Sequence, residues 1–333
     1  MFNLPKVAVI SLGGTISAAQ RKDKGVDISL SATNLVEMLP ELKNLARIFP
    51  INLYNLPSIA LGFDNLIEIA DKIINLFQEG YDGIVITQGT DTIEETAFFF
   101  DITIPQDNPV VITGAMKNPT LLGSDSLSNL YNAILVALND KSKGLGTLVV
   151  MNDQIHLARF VQKTHTYSID AVRSPLIGPV GWISEGYVNI VLKPNYDRFI
   201  LSIEKLKKAT KKPRIGFFTA VIDLDSELIR TSLAPYDGII VEAAGGGHVS
   251  PPISDILIGL SREIPVVLSS RTRCGKILRR TYSFKGGEID LLSRGLISGG
   301  YLNSLKARVL LYCLVKAGYS LSEIRDVFEK YFN

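Results

Sequence analysis

Thr15, Thr90, Asp91 and Lys163 are residue types that could together transfer an acyl group. A threonine hydroxyl is a weak nucleophile until a base takes its proton. A lysine held among polar groups can have its pKa lowered and serve as that base, and a nearby carboxylate completes the set. Gly13-Gly14 precede Thr15, and Gly89 precedes Thr90. Glycine lets the backbone pass close to a ligand and leaves N–H groups facing it, which suits an anion or an oxyanion. Each feature also has a bland reading. Gly13-Gly14 fits a tight strand-to-helix turn with Thr15 as its cap, and a single lysine such as Lys163 is ordinarily a surface group.

Other chemistries lack their signatures. The dinucleotide fingerprint G-x-G-x-x-G is absent. Gly275-Lys276 is not a phosphate loop, because Ile277 follows it and Ser270 stands where the first glycine belongs. G-x-S-x-G and H-E-x-x-H are missing too. With His156, His165 and His248 as its only histidines, the chain offers no plausible metal framework and no cofactor motif. His165 and His248 read as ordinary hydrogen-bonding residues.

The elements that would position these residues are strands and helices in alternation. Short apolar runs recur at 7–10, 83–86, 109–112, 148–151, 215–218, 238–241 and 266–268. Continuous Val/Ile runs suit strands covered on both faces, and so a parallel sheet. Leu66, Ile69, Ile73, Ile74 and Phe77 repeat at helical steps, with Asn65 before them and Gly80 as the expected C-terminal stop. The expected class is therefore α/β. In such sheets ligands bind beyond the carboxyl ends of the strands, which is where Thr15, Thr90, Ala115 and Lys163 fall.

Lysines and an arginine crowd the segment 205–214 around Pro213, and a new strand begins at Ile215. The segment reads as a solvated helix end plus linker, or else as a basic docking patch. The expected organisation is a catalytic domain at 1–195, a linker at 196–213 and a second α/β domain at 214–333. "YDGIVI" at 81–86 resembles "YDGIIV" at 236–241, through duplication or one shared structural need.

The 333 residues carry 35 Lys+Arg against 33 Asp+Glu, a net charge of +2, and 46% are hydrophobic. That balance excludes wholesale disorder and argues against a dedicated nucleic-acid protein. Two cysteines, Cys274 and Cys313, exclude a disulfide scaffold. No apolar run is long enough to span a membrane, and the N-terminal run from Val7 has no cleavage site of the secretory kind. A cytoplasmic location is expected, with reduced cysteines.

"SLGGTIS" (11–17) and "ITQGTDTIEETAFFFD" (86–101) resemble the two signature motifs of the bacterial-type L-asparaginase/glutaminase family. "VVITGAMKNP" (110–119), "NLYNAI" (129–134), "VVMNDQIHLARFVQKTH" (149–165) and "LKARVLL" (305–311) are similar to it in the same order. "IHLARFVQKTH" and "SRTRCGKILRRTYSFKGGEIDLL" look most like a divergent, cytoplasmic-style branch. The resemblance implies a larger N-terminal and a smaller C-terminal α/β domain. It implies hydrolysis of a small-molecule side-chain amide to a carboxylate and ammonia, with no cofactor or metal. Thr15 would be the nucleophile of an acyl-enzyme, and Thr90, Asp91 and Lys163 a second polar triad. Ser58 would hold the substrate α-carboxylate and Asp91 face its α-amino group. The Ala115 carbonyl would accept from the amide nitrogen. Gly14 and Gly89 would let N–H groups reach the reacting carbonyl. A homodimer or homotetramer with sites shared between subunits is implied, without nucleic-acid or membrane partners.

Departures from the family pattern set the finer expectations. Ile59 stands where the family commonly has Gln, and no Tyr occurs between Ile16 and Leu53 to serve as the lid tyrosine. The lid, 18–26, carries Gln20, Arg21, Lys22, Asp23 and Lys24 instead. Gly246 and His248 replace asparagines often found there. Glu288, or Tyr282 close by, is the candidate group reaching a neighbouring site. The basic group Arg271, Arg273, Lys276, Arg279 and Arg280 reads as a solvated or interface loop, or as a source of cations favouring an anionic substrate. An apolar Ile59 cannot pair with an ammonium or carboxylate, so weaker use of free L-asparagine is expected, with glutamine poorer still. Three alternatives stand beside that reading: action on another small carboxamide, a non-catalytic ligand-binding or sensor protein, and a subunit acting on aminoacyl-tRNA. The last is disfavoured because Thr15 lies so near the start that the extra N-terminal domain of such subunits is expected to be absent.

Overall fold

The computed structural model describes residues 4–21, 25–233 and 235–333. The chain divides into two compact units, Met1–Asn195 and Tyr196–Asn333. The strands of the first unit are β1 (Lys6–Ser11), β2 (Ala18–Arg21), β3 (Gly25–Ile28), β4 (Arg47–Asn52), β5 (Gly83–Thr87), β6 (Val110–Thr113), β7 (Thr147–Met151), β8 (Gln154–Leu157), β9 (Gln162–Lys163), β10 (Val172–Arg173), β11 (Gly181–Ser184) and β12 (Tyr187–Ile190). Eight of them form one sheet in the order β12-β11-β8-β7-β6-β5-β1-β4. Neighbours from β4 through to β7 are parallel. The remaining neighbours are antiparallel. Hairpin β2–β3 and ladder β9–β10 stand apart from that sheet.

Helices α1 (Ala32–Glu37), α2 (Phe63–Gln78), α3 (Ile93–Asp101) and α4 (Ser126–Ala137) belong to this unit. Val7, Val9, Val85, Val111, Leu148 and Val150 form one buried cluster with Leu35 of α1 and Leu130, Ala133 and Ile134 of α4. The residues between them, Ala8, Ile10, Ile84, Ile86, Ile112 and Val149, are buried as well. Both faces of β1, β5, β6 and β7 are thus covered, which is why their sequences read as unbroken apolar runs.

Runs of that kind miss the other strands, for a physical reason. β11 and β12 alternate buried or half-buried with exposed positions, the pattern of a sheet covered on one face. β4 is an edge strand whose Arg47, Phe49 and Pro50 are exposed, and proline is tolerated at such an edge. Helix α2 also starts earlier than Asn65. Gly62 is its N-cap, and the Asn65 side chain reaches back to accept from Gly62 N at 2.9 Å. Gly80 does follow the helix, with φ 80°.

The second unit holds a parallel sheet of β13 (Ile215–Thr219), β14 (Gly238–Ala243), β15 (Val266–Ser270) and β16 (Ile297–Ser298). Helices α5 (Ile203–Lys208), α6 (Ser226–Leu233), α7 (Pro251–Leu260), α8 (Glu288–Ser293), α9 (Ser304–Lys316) and α10 (Leu321–Phe332) accompany it. The segment 196–213 packs within this unit. Phe199, Leu201, Ile203 and Leu206 are buried, and Lys316 Nζ donates to the carbonyls of Ala209 and Lys211, both at 3.1 Å.

The repeated "YDGI" has a structural cause in both units. Lys6 N donates to the Asp82 carboxylate at 2.8 Å while Asp82 N donates to Lys6 O. Arg214 N and Asp237 repeat the pair, again at 2.8 Å. The tyrosine before each aspartate takes the neighbouring cation on its ring, Lys6 over Tyr81 and Arg214 over Tyr236. Each motif pins the start of a strand to the start of its parallel neighbour.

Helix α3 carries the site loop into the core. Phe98, Phe99 and Phe100 are fully buried, and Phe99 packs on Phe63 and Phe100 at ring separations of 6.4 and 5.8 Å. Phe99→Ala should cost about 3–5 kcal/mol. Amide hydrogen exchange should show that loss in α3 and the strands it packs on, and unchanged protection there would refute it.

Candidate active site

The sheet register lines up the functional loops. Ser11 pairs with Thr87 and Thr87 with Thr113, so β1, β5 and β6 end in one row. The ladder continues a step further, with Leu12 N donating to Thr87 O at 2.9 Å and Gln88 N to Thr113 O at 3.1 Å. Three loops therefore leave the sheet side by side.

Glycine lets them stay side by side. Gly13 and Gly14 have φ of 108° and 83°, in the left-handed region. A Cβ on Gly14 would lie 2.0 Å from Gly89 N, inside atomic contact. A Cβ on Gly114 would lie 2.8 Å from Gln88 O. The backbones of the loops carrying Thr15, Thr90 and Ala115 thus pack on one another directly.

Together they line a cavity of about 290 Å³, with Ser58, Asp91 and Lys163 also in its wall. Lys163 comes from the separate β9–β10 ladder. Its Nζ donates to Thr90 Oγ1 at 2.9 Å and to Asp91 Oδ1 at 2.6 Å. Only 15% of the lysine side chain is exposed, against 71% of the Asp91 side chain. The surface-lysine reading therefore fails, and Asp91 keeps an open carboxylate face. Thr90 Oγ1 points its own proton at Met116 Sδ, 3.5 Å away. A thioether is a weak acceptor, so a water or substrate oxygen would readily take that proton's place.

Thr15 opens a short 3₁₀ turn, Thr15–Ser17, directly after the two glycines. Among the described residues, no side chain hydrogen-bonds its hydroxyl. Lid residues 22–24 lie outside the described residues, and so do the side chains of Gln20 and Arg21. Ser58 is 3% exposed, lines the cavity, and its Oγ has no hydrogen-bond partner among the described residues. A buried unpaired hydroxyl in a cavity wall is satisfied when a polar ligand group arrives. Ile59, next to it, is 74% exposed. His156 stands apart: burial pushes its pKa down to about 4, so it is a neutral core histidine.

Three wall residues carried no expected role, Pro57, Met116 and Thr166, and Pro57 simply precedes Ser58. Thr166 lies one position beyond the "QKTH" segment, and Met116 follows Ala115 within "TGAMK", so proximity to known motifs was the only signal. Among the described residues, no cluster of His, Cys, Asp and Glu could hold a metal ion, and no helix is long and apolar enough to cross a membrane.

The remaining candidates lie in the second unit. Glu288 is fully buried, with Oε1 accepting from Thr281 N and Tyr282 N at 2.8 Å each and Oε2 lying 3.2 Å from His248 Nε2. Within the chain these bonds brace its own loop. The Tyr282 ring lies edge-on to His248 at 4.9 Å. The basic group is largely engaged within its own unit. Arg271 donates to Ala220 O, Arg279 pairs with Glu329, and Lys276 sits over the Tyr301 ring.

Both units of the chain match known proteins. The sequence profile of Asparaginase, N-terminal, matches residues 6–196, and that of the Glutaminase/Asparaginase C-terminal domain matches residues 214–328. A probable periplasmic L-asparaginase of Haemophilus influenzae is 33% identical over 99% of this chain and 94% of its own length. An L-asparaginase of Bacillus licheniformis is 34% identical over 97% and 98%. The crystal structure of a probable cytoplasmic L-asparaginase from Campylobacter jejuni superposes with a TM-score of 0.87 at 32% identity, covering 98% of this chain and all of that one.

The Glu288 network makes a pH prediction. Burial alone would raise its pKa, but the Tyr282 and Thr281 amides and His248 outweigh that and hold it below the 4.5 of a free glutamate. A depressed folded pKa gives stability that is present above the unfolded pKa and is lost as pH falls through the folded one. Glu288→Gln should therefore lower the urea midpoint at pH 7 and lose most of that deficit in acid below the carboxylate range. An equal deficit at both pH values would contradict this.

Proposed function

The chain belongs to the asparaginase/glutaminase family of amidohydrolases, and from that premise we propose that Thr15 is the nucleophile of an acyl-enzyme reaction on a side-chain carboxamide, L-asparagine or a derivative of it. The observation that carries this reading is the Lys163–Thr90–Asp91 cluster, which lines the same cavity as Thr15.

Thr15 Oγ1 attacks the carboxamide carbon, and the carbonyl electrons move onto oxygen. Backbone N–H groups beside Gly14 and Gly89 face that oxyanion, a contact of roughly 3 kcal/mol. The C–N bond then breaks, the nitrogen takes up the proton given up by the Thr15 hydroxyl, and ammonia leaves with its N–H directed at the Ala115 carbonyl. Water attacks the ester that remains, held by Thr90, whose hydroxyl the Lys163 ammonium and Asp91 orient. The Thr15 hydroxyl returns and a carboxylate departs. Ser58 Oγ takes the α-carboxylate of an amino-acid substrate, and the exposed side of Asp91 its ammonium.

Ile59 shapes the substrate preference. A side chain without hydrogen-bonding atoms stands beside Ser58 and is largely exposed, so free L-asparagine is held by fewer polar contacts and carboxamides with a less polar far end are better tolerated. The working form is a homodimer or homotetramer in the cytoplasm, with the neighbouring subunit completing each site. The likeness to the Campylobacter jejuni enzyme supports that location.

Ammonia release from a panel of carboxamides tests the reaction. Thr15→Ala should lower it by at least about 10⁴-fold, and activity surviving in that variant would overturn the nucleophile. Ile59→Gln should lower KM for L-asparagine by about tenfold, the worth of a hydrogen bond to a charged group. Efficient turnover by the wild type at micromolar L-asparagine would refute the relaxed-recognition reading.

A further inference from the structure

Helix α4 begins in an unusual way. Asp125 occupies its N-cap, yet makes no cap bond to the helix. Its carboxylate turns back onto the loop after β6. Both oxygens accept from Met116 N, at 3.2 and 3.0 Å, and Oδ1 also accepts from Lys117 N at 2.9 Å. One turn along, Asn129 is buried and donates to Asp125 Oδ2 and to Gly114 O, both at 3.0 Å. The Asn129 Oδ1 is fixed in turn by Asn152 N at 3.0 Å. Ser126 Oγ donates to Lys117 O at 2.8 Å. The first turn of α4 thus grips the backbone on both sides of Ala115 and leaves Ala115 itself untouched.

The consequence follows from peptide planarity. In a trans peptide the C=O and the next N–H share one plane and point in opposite directions. The Met116 N–H is tied to Asp125, so the Ala115 carbonyl is turned away from that carboxylate. The Gly114 carbonyl, tied to Asn129, removes the freedom of the plane before it. Ala115 is 1% exposed and lines the cavity. The same grip fixes Met116, whose sulfur receives the Thr90 hydroxyl.

We infer that Asp125 and Asn129 are positioning residues that aim the Ala115 carbonyl at the N–H of the departing amide nitrogen. This rests on the hydrolase reading given above. An N–H bonded to that carbonyl turns the nitrogen lone pair toward its incoming proton as the C–N bond breaks. A leaving group without an N–H gains nothing from the grip.

An ester with the same acyl part separates these roles. The β-methyl ester of aspartate forms the same acyl-Thr15 but expels methanol, whose oxygen carries no hydrogen to donate until it has left. In Asp125→Ala, kcat for L-asparagine should fall by about 100-fold, the cost of a misplaced reacting group, while kcat for the ester falls by no more than about threefold. Asn129→Ala should shift the amide-to-ester ratio in the same direction. Asp125→Asn keeps one acceptor oxygen and should recover part of the amide rate, which covers the case in which the alanine variant fails to fold. Equal losses on amide and ester across the folded variants would overturn the inference, since a general loosening of the site would produce them. Unchanged amide rates would overturn it as well. A wild type that hydrolyses neither substrate would sink the hydrolase reading along with it, whereas an active wild type with an unshifted ratio would sink this inference alone.

Discussion

No side chain separates the loop that carries Thr15 from the loop that carries Thr90. Neighbouring strands lie about 4.8 Å apart, and loops leaving them would ordinarily splay to make room for Cβ atoms. Here Gly14 rests on the Gly89 amide and Gly114 on the Gln88 carbonyl, so the three loops stay as close as the strands that feed them. The rest of the site depends on that contact. It brings two hydroxyls into the wall of one small cavity, leaves room for Lys163 to arrive from an outlying ladder, and exposes backbone N–H groups that side chains would otherwise cover.

Much of the first unit was legible because its central strands are covered on both faces. Ile84, Val85 and Ile86 leave an apolar run no other element explains, and a parallel strand ends where its functional loop begins. The antiparallel strands were illegible for the opposite reason. β11 reads "GWIS", with its second and fourth residues exposed, too short and too weakly alternating to stand out. The start of α2 was hidden because its N-cap, Gly62, has no side chain to advertise it; Asn65 supplies the acceptor from inside the first turn.

The site divides in the same way. Thr15, Thr90 and Asp91 sit within one or two residues of glycines after strand ends, and local sequence points to them, whereas Ser58 stood out only through the family resemblance. Lys163 was legible as a lysine beyond a strand end and again through its motif, but nothing nearby in sequence says that a lysine on a two-residue strand bends back onto Thr90 and Asp91. Asp125 was beyond reach. An acidic residue ahead of an apolar-periodic segment reads as a helix cap, and only the folded chain shows its carboxylate spent on the preceding loop. Glu288 was named through the family resemblance, and only the folded chain shows its carboxylate buried and accepting from the Thr281 and Tyr282 amides.

The glycine contacts also determine how the site can diversify. Gly13, Gly14, Gly89 and Gly114 meet backbone or close-packed neighbours as soon as a Cβ is added, so variation at these positions removes the scaffold before it alters the chemistry. Ile59, Met116 and Thr166 carry ordinary side chains in or beside the cavity wall, and exchange there leaves the loop backbones where they are. Descendants of such a chain can drift toward new carboxamides through the second set while the first stays frozen, so a lineage would change what it recognises long before it changes how it reacts.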